Sequence, residues 1–220
     1  MQRSKGIPYM TNLNRREKER LAREEEIISV AETVFIDNGY EKASMEKIAS
    51  KAGFTRRTVY QYFLNKEDLY YAVVLRGFRK LYEYYMAATE NCLTGFDKLY
   101  QAGLAYYRFF RDHPGTFHLM NYIGFIKRED SQQPKYRAFM EFNEKMYREF
   151  GVIIENGIKD GSIRSNLDPV KGAHALAFIT TGFINEISMA GRSFAVSQNM
   201  DLEMFVNYSY SILMDSLRAQ

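Results

Sequence analysis

Apolar positions along the chain recur three and four residues apart, and no run shows sustained strand alternation. That periodicity predicts an all-α protein of about nine helices. Ile27, Ile28, Ala31, Val34 and Phe35 form the first buried stripe. Their helix opens at Asn14-Arg15-Arg16-Glu17, which has the form of a capping box, and ends at Asn38-Gly39. Ser44 caps a short second helix with Met45, Ile48 and Ala49 on its apolar face, and Ala52-Gly53 breaks it. Thr55 caps a third helix carrying Val59, Tyr60, Tyr62 and Phe63. Asn65 caps a fourth, with Glu67 and Asp68 in its first turn, where they suit the helix dipole. Longer patterns then predict helices near 65–91, 95–112, 114–125, 134–159, 168–190 and 200–218. Breaks fall at Thr94-Gly95, His113-Pro114-Gly115, Ser131 to Pro134, Gly161, Asp168-Pro169 and Gly191 to Asn199. The expected organisation is a flexible basic arm over 1–13, a domain over 14–66 and a larger helical domain over 67–220. The arm reads either as a plain tail or as an extension that helps hold DNA.

Residues 44–63 have the parts of a helix-turn-helix. One helix braces, a short turn at Gly53 follows, and the next helix presents its first residues to the major groove. Ile48, Ala49, Phe54, Val59 and Phe63 are expected to pack inward, leaving Arg56, Arg57, Tyr60 and Gln61 outward. Arginine can grip guanine with two hydrogen bonds. Tyrosine can pack on a thymine methyl or bond a phosphate. Thr55, Tyr62 and Lys66 suit phosphates, which position a protein on DNA without reading it, and Thr58 belongs to the same candidate DNA-binding set. From Lys47 to Lys66 the chain carries Lys47, Lys51, Arg56, Arg57 and Lys66 and no acidic residue, although the whole chain is only +3. On these residues alone two readings stand: a DNA reader, or a three-helix unit that docks a protein partner.

The run Ser44-Met45-Glu46-Lys47-Ile48-Ala49, then Ala52-Gly53-Phe54-Thr55, Thr58-Val59-Tyr60-Gln61-Tyr62-Phe63 and Asn65-Lys66-Glu67-Asp68-Leu69, resembles the TetR/AcrR family of transcription regulators. Ala31-Glu32-Thr33-Val34-Phe35 and Asn38-Gly39-Tyr40 resemble the end of that family's first helix. The likeness is dense over about residues 25–70. It implies a cytoplasmic homodimer that binds double-stranded operator DNA, most often as a repressor, and a larger helical domain that binds a small ligand. It also implies that Ser44, Thr55, Tyr60, Tyr62 and Lys66 are phosphate contacts or their supports and that Arg56, Arg57 and Gln61 lie nearest the bases. Arg57 departs from the small residue frequent at that position, so the operator sequence does not carry over.

In the larger domain the aromatic and methionine density suggests an apolar pocket with a few polar handles, against the alternative of ordinary core. The expected pocket residues are Tyr107, Phe110, His118, Tyr122, Phe142, Met146 and Phe178, and the ligand class is small and apolar or aromatic. Two stripes suggest a dimer interface built as a four-helix bundle: Ala173, Ala177, Thr180, Ile184 and Ile187, with Phe205, Ser209, Ile212 and Leu213. The alternative is that both stripes pack within one protomer.

The single cysteine, Cys92, leaves no disulfide framework and no Cys-based zinc site. No P-loop, G-x-S-x-G or H-E-x-x-H occurs, and His113, His118 and His174 have no metal-pair spacing. Neither an enzyme nor a cofactor or metal is expected. Met1 to Arg23 has no signal-peptide character, and no stretch approaches the ~20 apolar residues of a membrane span.

Overall fold

The computed structural model describes residues 14–122 and 133–219; the basic arm, Phe125 and the break at Ser131 lie outside the described residues. Among the described residues there are nine helices: α1 Arg15–Lys42, α2 Met45–Lys51, α3 Arg56–Tyr60, α4 Lys66–Thr89, α5 Gly95–Asp112, α6 Pro114–Tyr122, α7 Pro134–Lys159, α8 Pro169–Gln198 and α9 Leu202–Asp215. None is long and apolar enough to cross a membrane. Internal contacts divide the chain into two compact units, one up to Val73 and the other from Val74.

In the first unit the α1 N-terminus is closed by the capping box: the Glu17 N–H donates to Asn14 Oδ1 at 3.0 Å and the Asn14 N–H to Glu17 Oε2 at 2.8 Å. The helix breaks at Gly39, whose φ of +74° is left-handed, and helical hydrogen bonding resumes as far as Lys42. The core joins Ile27, Ala31, Val34 and Phe35 of α1 to Ile48, Val59, Phe63, Leu69 and Tyr70. The Phe35, Tyr40 and Tyr70 rings meet edge to face or stacked, with centroids 5.0–6.0 Å apart. α4 starts on a second reciprocal cap, with Asp68 N–H donating to Asn65 Oδ1 and Leu64 N–H to Asp68 Oδ2.

In the second unit α5 is the central helix, packing on α6, α7, α8 and α9. Its core includes Phe96, Leu99, Ile154, Ile163, Ala173, Tyr210 and Met214. α8 corrects the expected break at Gly191 to Asn199. It runs on to Gln198 and stops at Asn199, whose φ of +50° is left-handed. Gly191 is buried inside α8, where an added Cβ would crowd Ile187 one turn back and Leu202 of α9, so this close approach keeps a glycine there despite its ~1 kcal/mol helix cost. α5 and α7 cross where Gly95 meets Gly157; a Cβ on Gly95 would collide with the Gly157 backbone.

Gly95→Ala therefore forces α5 and α7 apart, and its expected cost is about 1–3 kcal/mol in urea unfolding. Burial pushes the Tyr210 phenol up to about 12. A folded pKa above the unfolded value gives stability that is full below the ordinary tyrosine range and lost as pH climbs toward the folded one. The urea midpoint is expected to hold up to about pH 10 and then fall, and Tyr210→Phe is expected to soften that alkaline fall.

Candidate nucleic-acid interface and internal cavity

The turn between α2 and α3 is a Schellman motif. Phe54 N–H donates to Ala49 O at 3.0 Å, Gly53 N–H donates to Ser50 O at 3.2 Å, and Gly53 sits at φ +70°. Ser44 Oγ accepts from Lys47 N–H at 3.2 Å, and Thr55 Oγ1 accepts from Thr58 N–H at 3.1 Å, so each short helix starts on a hydroxyl cap. The Thr55 and Thr58 hydroxyls also bond each other at 2.8 Å. Ile48, Ala49, Val59 and Phe63 are buried, and Phe54 is half-buried. Arg56, Arg57, Tyr60 and Gln61 are exposed together on α3 and its C-cap, while Tyr62 is half-buried with Arg20 over its ring at 6.0 Å.

The cations of this surface are not equally free. Arg56 pairs with Glu46 at 2.7 Å and lies over the Tyr60 ring at 5.3 Å; the Tyr60 hydroxyl first, then Glu46, raises its pKa further. Lys51 pairs with Asp37 at 3.4 Å and Lys47 bonds Asn38 Oδ1. Arg57 has no ion pair among the described residues and points α3's charge into solvent. Exposed pairs of this kind contribute little, so incoming phosphates can compete for the paired cations.

Lys66 departs from the expected phosphate role. Its Nζ donates to the carbonyls of Tyr40 at 2.9 Å, Ala43 at 3.2 Å and Glu41 at 3.4 Å, and sits 4.3 Å from the Tyr40 ring centroid. Those carbonyls face the end of α1, where backbone acceptors lack helical partners. Lys66 is a structural clamp here.

The second unit encloses a cavity of about 90 Å³ between α4, α5, α7, α8 and α9. On α5 it is lined by Leu99, Ala102, Gly103 and Tyr106, on α7 by Asn143, Met146, Tyr147 and Phe150, and on α8 by Ala173, Leu176, Ala177, Thr180 and Thr181. Phe78, Leu81 and Tyr85 of α4 and Tyr210 of α9 complete it. Of the seven expected pocket residues, Met146 alone lines this cavity. Tyr107 and Phe110 continue past the last lining residue of α5, Tyr106, and pair with each other at 6.3 Å between centroids, Phe110 also meeting Phe117 of α6 at 5.0 Å. Phe142 packs on Tyr82, His118 is exposed, Tyr122 is half-buried, and Phe178 is 74% exposed. Tyr85, Tyr106, Asn143, Tyr147 and Tyr210 were missed. Their signal was available as an i, i+3, i+4, i+7 stripe interleaved with Ala and Gly, which leave room between helices.

The expected dimer stripe also needs correction. Ala173, Thr180, Ile184 and Ile187 are buried inside the protomer, and Ala177 lines the cavity. Leu213 packs on the core, Phe205 packs on Phe183 and Phe194, and Ser209 is half-buried. Ile212 is the exposed member. The face of α8 and α9 that looks outward carries instead Val170, Phe178, Met189 and Val196, with Met204, Tyr208 and Ile212. α8 is apolar on both sides, so periodicity marked a stripe without telling which one faces in.

Residues 27–73, the span just described from the α1 stripe through the turn to the start of α4, match the family described as bacterial regulatory proteins, tetR family. The match is confined to residues 27–73 of the 220-residue chain. The HTH-type transcriptional activator FasR of Mycolicibacterium smegmatis is 42% identical over 60 residues, 26% of this chain and 27% of FasR, so that likeness concerns only a fraction of each protein. The HTH-type transcriptional repressor KstR2 of the same organism is 28% identical over 148 residues, 67% of this chain and 70% of KstR2. The crystal structure of the regulator FadR from Bacillus subtilis in complex with stearoyl-CoA shares the fold, with a TM-score of 0.67 at 21% identity, covering 88% of this chain and 99% of that one.

Two substitutions separate reader from scaffold. Arg57→Ala is expected to leave the urea midpoint unchanged and to weaken DNA binding by roughly 5- to 100-fold if the side chain grips a base. Lys66→Met is expected to lower stability by about 1–3 kcal/mol, because charge-assisted bonds to the α1 carbonyls are lost, while the salt dependence of DNA binding keeps its slope.

Proposed function

We propose that this chain is a tetR-family regulator, a ligand-responsive repressor that binds a palindromic operator as a homodimer. The reading rests above all on the outward face of α3, where Arg56, Arg57, Tyr60 and Gln61 stand exposed on a capped, core-anchored helix. Arg57, Arg56 and Gln61 read base edges, Tyr60 packs on a thymine methyl or a phosphate, and Ser44, Thr55, Thr58 and Tyr62 position phosphates. Repression rather than activation accords with the name of KstR2, the relative matched over two thirds of this chain.

Dimerisation uses the outward apolar face of α8 and α9. Phe178, Met189 and Met204 are 74%, 81% and 73% exposed, a burden that a monomer in water has no reason to carry as one patch. A two-fold pair of readers then spans half-sites roughly 34–36 Å apart. The effector occupies the internal cavity of the second unit. α4 carries both Lys66 and Tyr85 on one continuous helix, which suits it to transmit a population shift between a DNA-competent and an incompetent state.

Purified protein is expected to bind DNA upstream of its own gene, with an affinity that survives excess random DNA and falls steeply with salt. Failure to enrich any sequence from a random library would sink the reading. Phe178→Glu combined with Met189→Glu is expected to give monomers by sedimentation and to cost most of the operator affinity. A double variant that stays dimeric would move the interface elsewhere.

A further inference from the structure

The cavity has no cation to meet an anionic ligand. None of its lining residues is Lys, Arg, His, Asp or Glu. His174, the nearest imidazole, is exposed, stacks on the Tyr147 ring at 4.2 Å and bonds the Val170 carbonyl, and does not line the space. Two of the lining phenols are already engaged. The Tyr210 hydroxyl donates to the Leu99 carbonyl at 3.4 Å with Thr180 beside it, and Tyr106 has Thr181 and Asn121 beside its hydroxyl. Three other lining polar groups have no hydrogen-bond partner among the described residues: the Tyr85 hydroxyl, the Tyr147 hydroxyl and the Asn143 amide. Tyr85 and Tyr147 lie within electrostatic reach of each other, and burial pushes both phenols above the ordinary range, so both stay neutral donors. Asn143 and Tyr147 stand one turn apart on α7. All three residues are half-buried and turn polar groups without a protein partner to one space, which makes them a socket for a ligand oxygen. The volume of about 90 Å³ exceeds what one or two waters need.

We infer that the effector is an uncharged, largely apolar molecule bearing a carbonyl or hydroxyl oxygen, gripped by Tyr85, Asn143 and Tyr147, and that a free carboxylate is excluded. The inference rests on the reading of the cavity as the effector site. A carboxylate entering here loses its hydration with no counter-charge, whereas a ketone oxygen gains two neutral donors and loses little.

Calorimetric titration with matched pairs tests it: 2-acetylnaphthalene against 2-naphthoate, and 2-decanone against decanoate, with decanoyl-CoA as a third arm. Each pair differs mainly in charge. At least one ketone is expected to bind, at least tenfold tighter than its carboxylate and than decanoyl-CoA. Tyr85→Phe and Tyr147→Phe are each expected to weaken it by about 5-fold. Both variants are expected to melt no lower than the parent, since each removes a hydroxyl that bonds no other described residue. A carboxylate or decanoyl-CoA that binds as tightly as the ketones overturns the inference. So does the absence of binding by both ketones, or a ketone affinity that neither substitution changes. Operator binding is followed in the same samples. If DNA is released by decanoyl-CoA but not by ketones, the regulator reading stands and the neutral-ligand inference falls. If a ketone binds with the expected selectivity and DNA is unaffected, the inference stands and the ligand response does not.

Discussion

One ammonium group ties the first unit together. Lys66 opens α4, yet its Nζ reaches back to three carbonyls at the end of α1, at 2.9–3.4 Å. A helix end leaves its last carbonyls without partners, and a cation is the best group to satisfy several at once. The clamp joins the end of α1 to the start of α4, and α2 and α3 lie between those points in the chain. Ile48, Val59 and Phe63 then fill the space so enclosed, and the Schellman turn at Gly53 sets the angle between the two short helices. Helices of seven and five residues have no stability of their own in water. Their hydroxyl caps and this frame hold the outward side chains of α3 in one fixed array.

The cationic run shows how sequence and space differ. Along the chain, Lys47 to Lys66 contains no acid. In space Asp37 reaches Lys51 from α1 and Glu46 reaches Arg56 from α2. The surface is therefore less positive than its sequence, and its cations are held in place by weak pairs that phosphates can displace. Arg57, the departure from the family's usual small residue, is the member left unpaired among the described residues.

In the second unit the same logic applies to apolar faces. α5, α7 and α8 each turn one stripe to the cavity, and those of α5 and α8 contain small residues, Ala102 and Gly103 on one and Ala173 and Ala177 on the other. Bulky aromatics such as Tyr107, Phe110 and Phe142 fill the wedges between helices instead. Small residues shape the space, and tyrosines that cannot all find partners line it.

The sequence by itself determined the helices, most of their caps, the turn at Gly53 and the outward set Arg56, Arg57, Tyr60 and Gln61. These depend on neighbours within about one helical turn, where cap geometry and 3.6-residue periodicity act directly. The dense run over about residues 25–70 combines cap, turn and core in a fixed spacing, and residues 27–73 match the tetR family there. Only the tertiary structure decided that Lys66 is a clamp, that Gly191 stays inside α8, and that Phe178 faces outward while Ala173 and Thr180 face inward. Each of those depends on what lies across from the residue. A helix apolar on two sides offers two stripes, and packing alone chooses which one is buried.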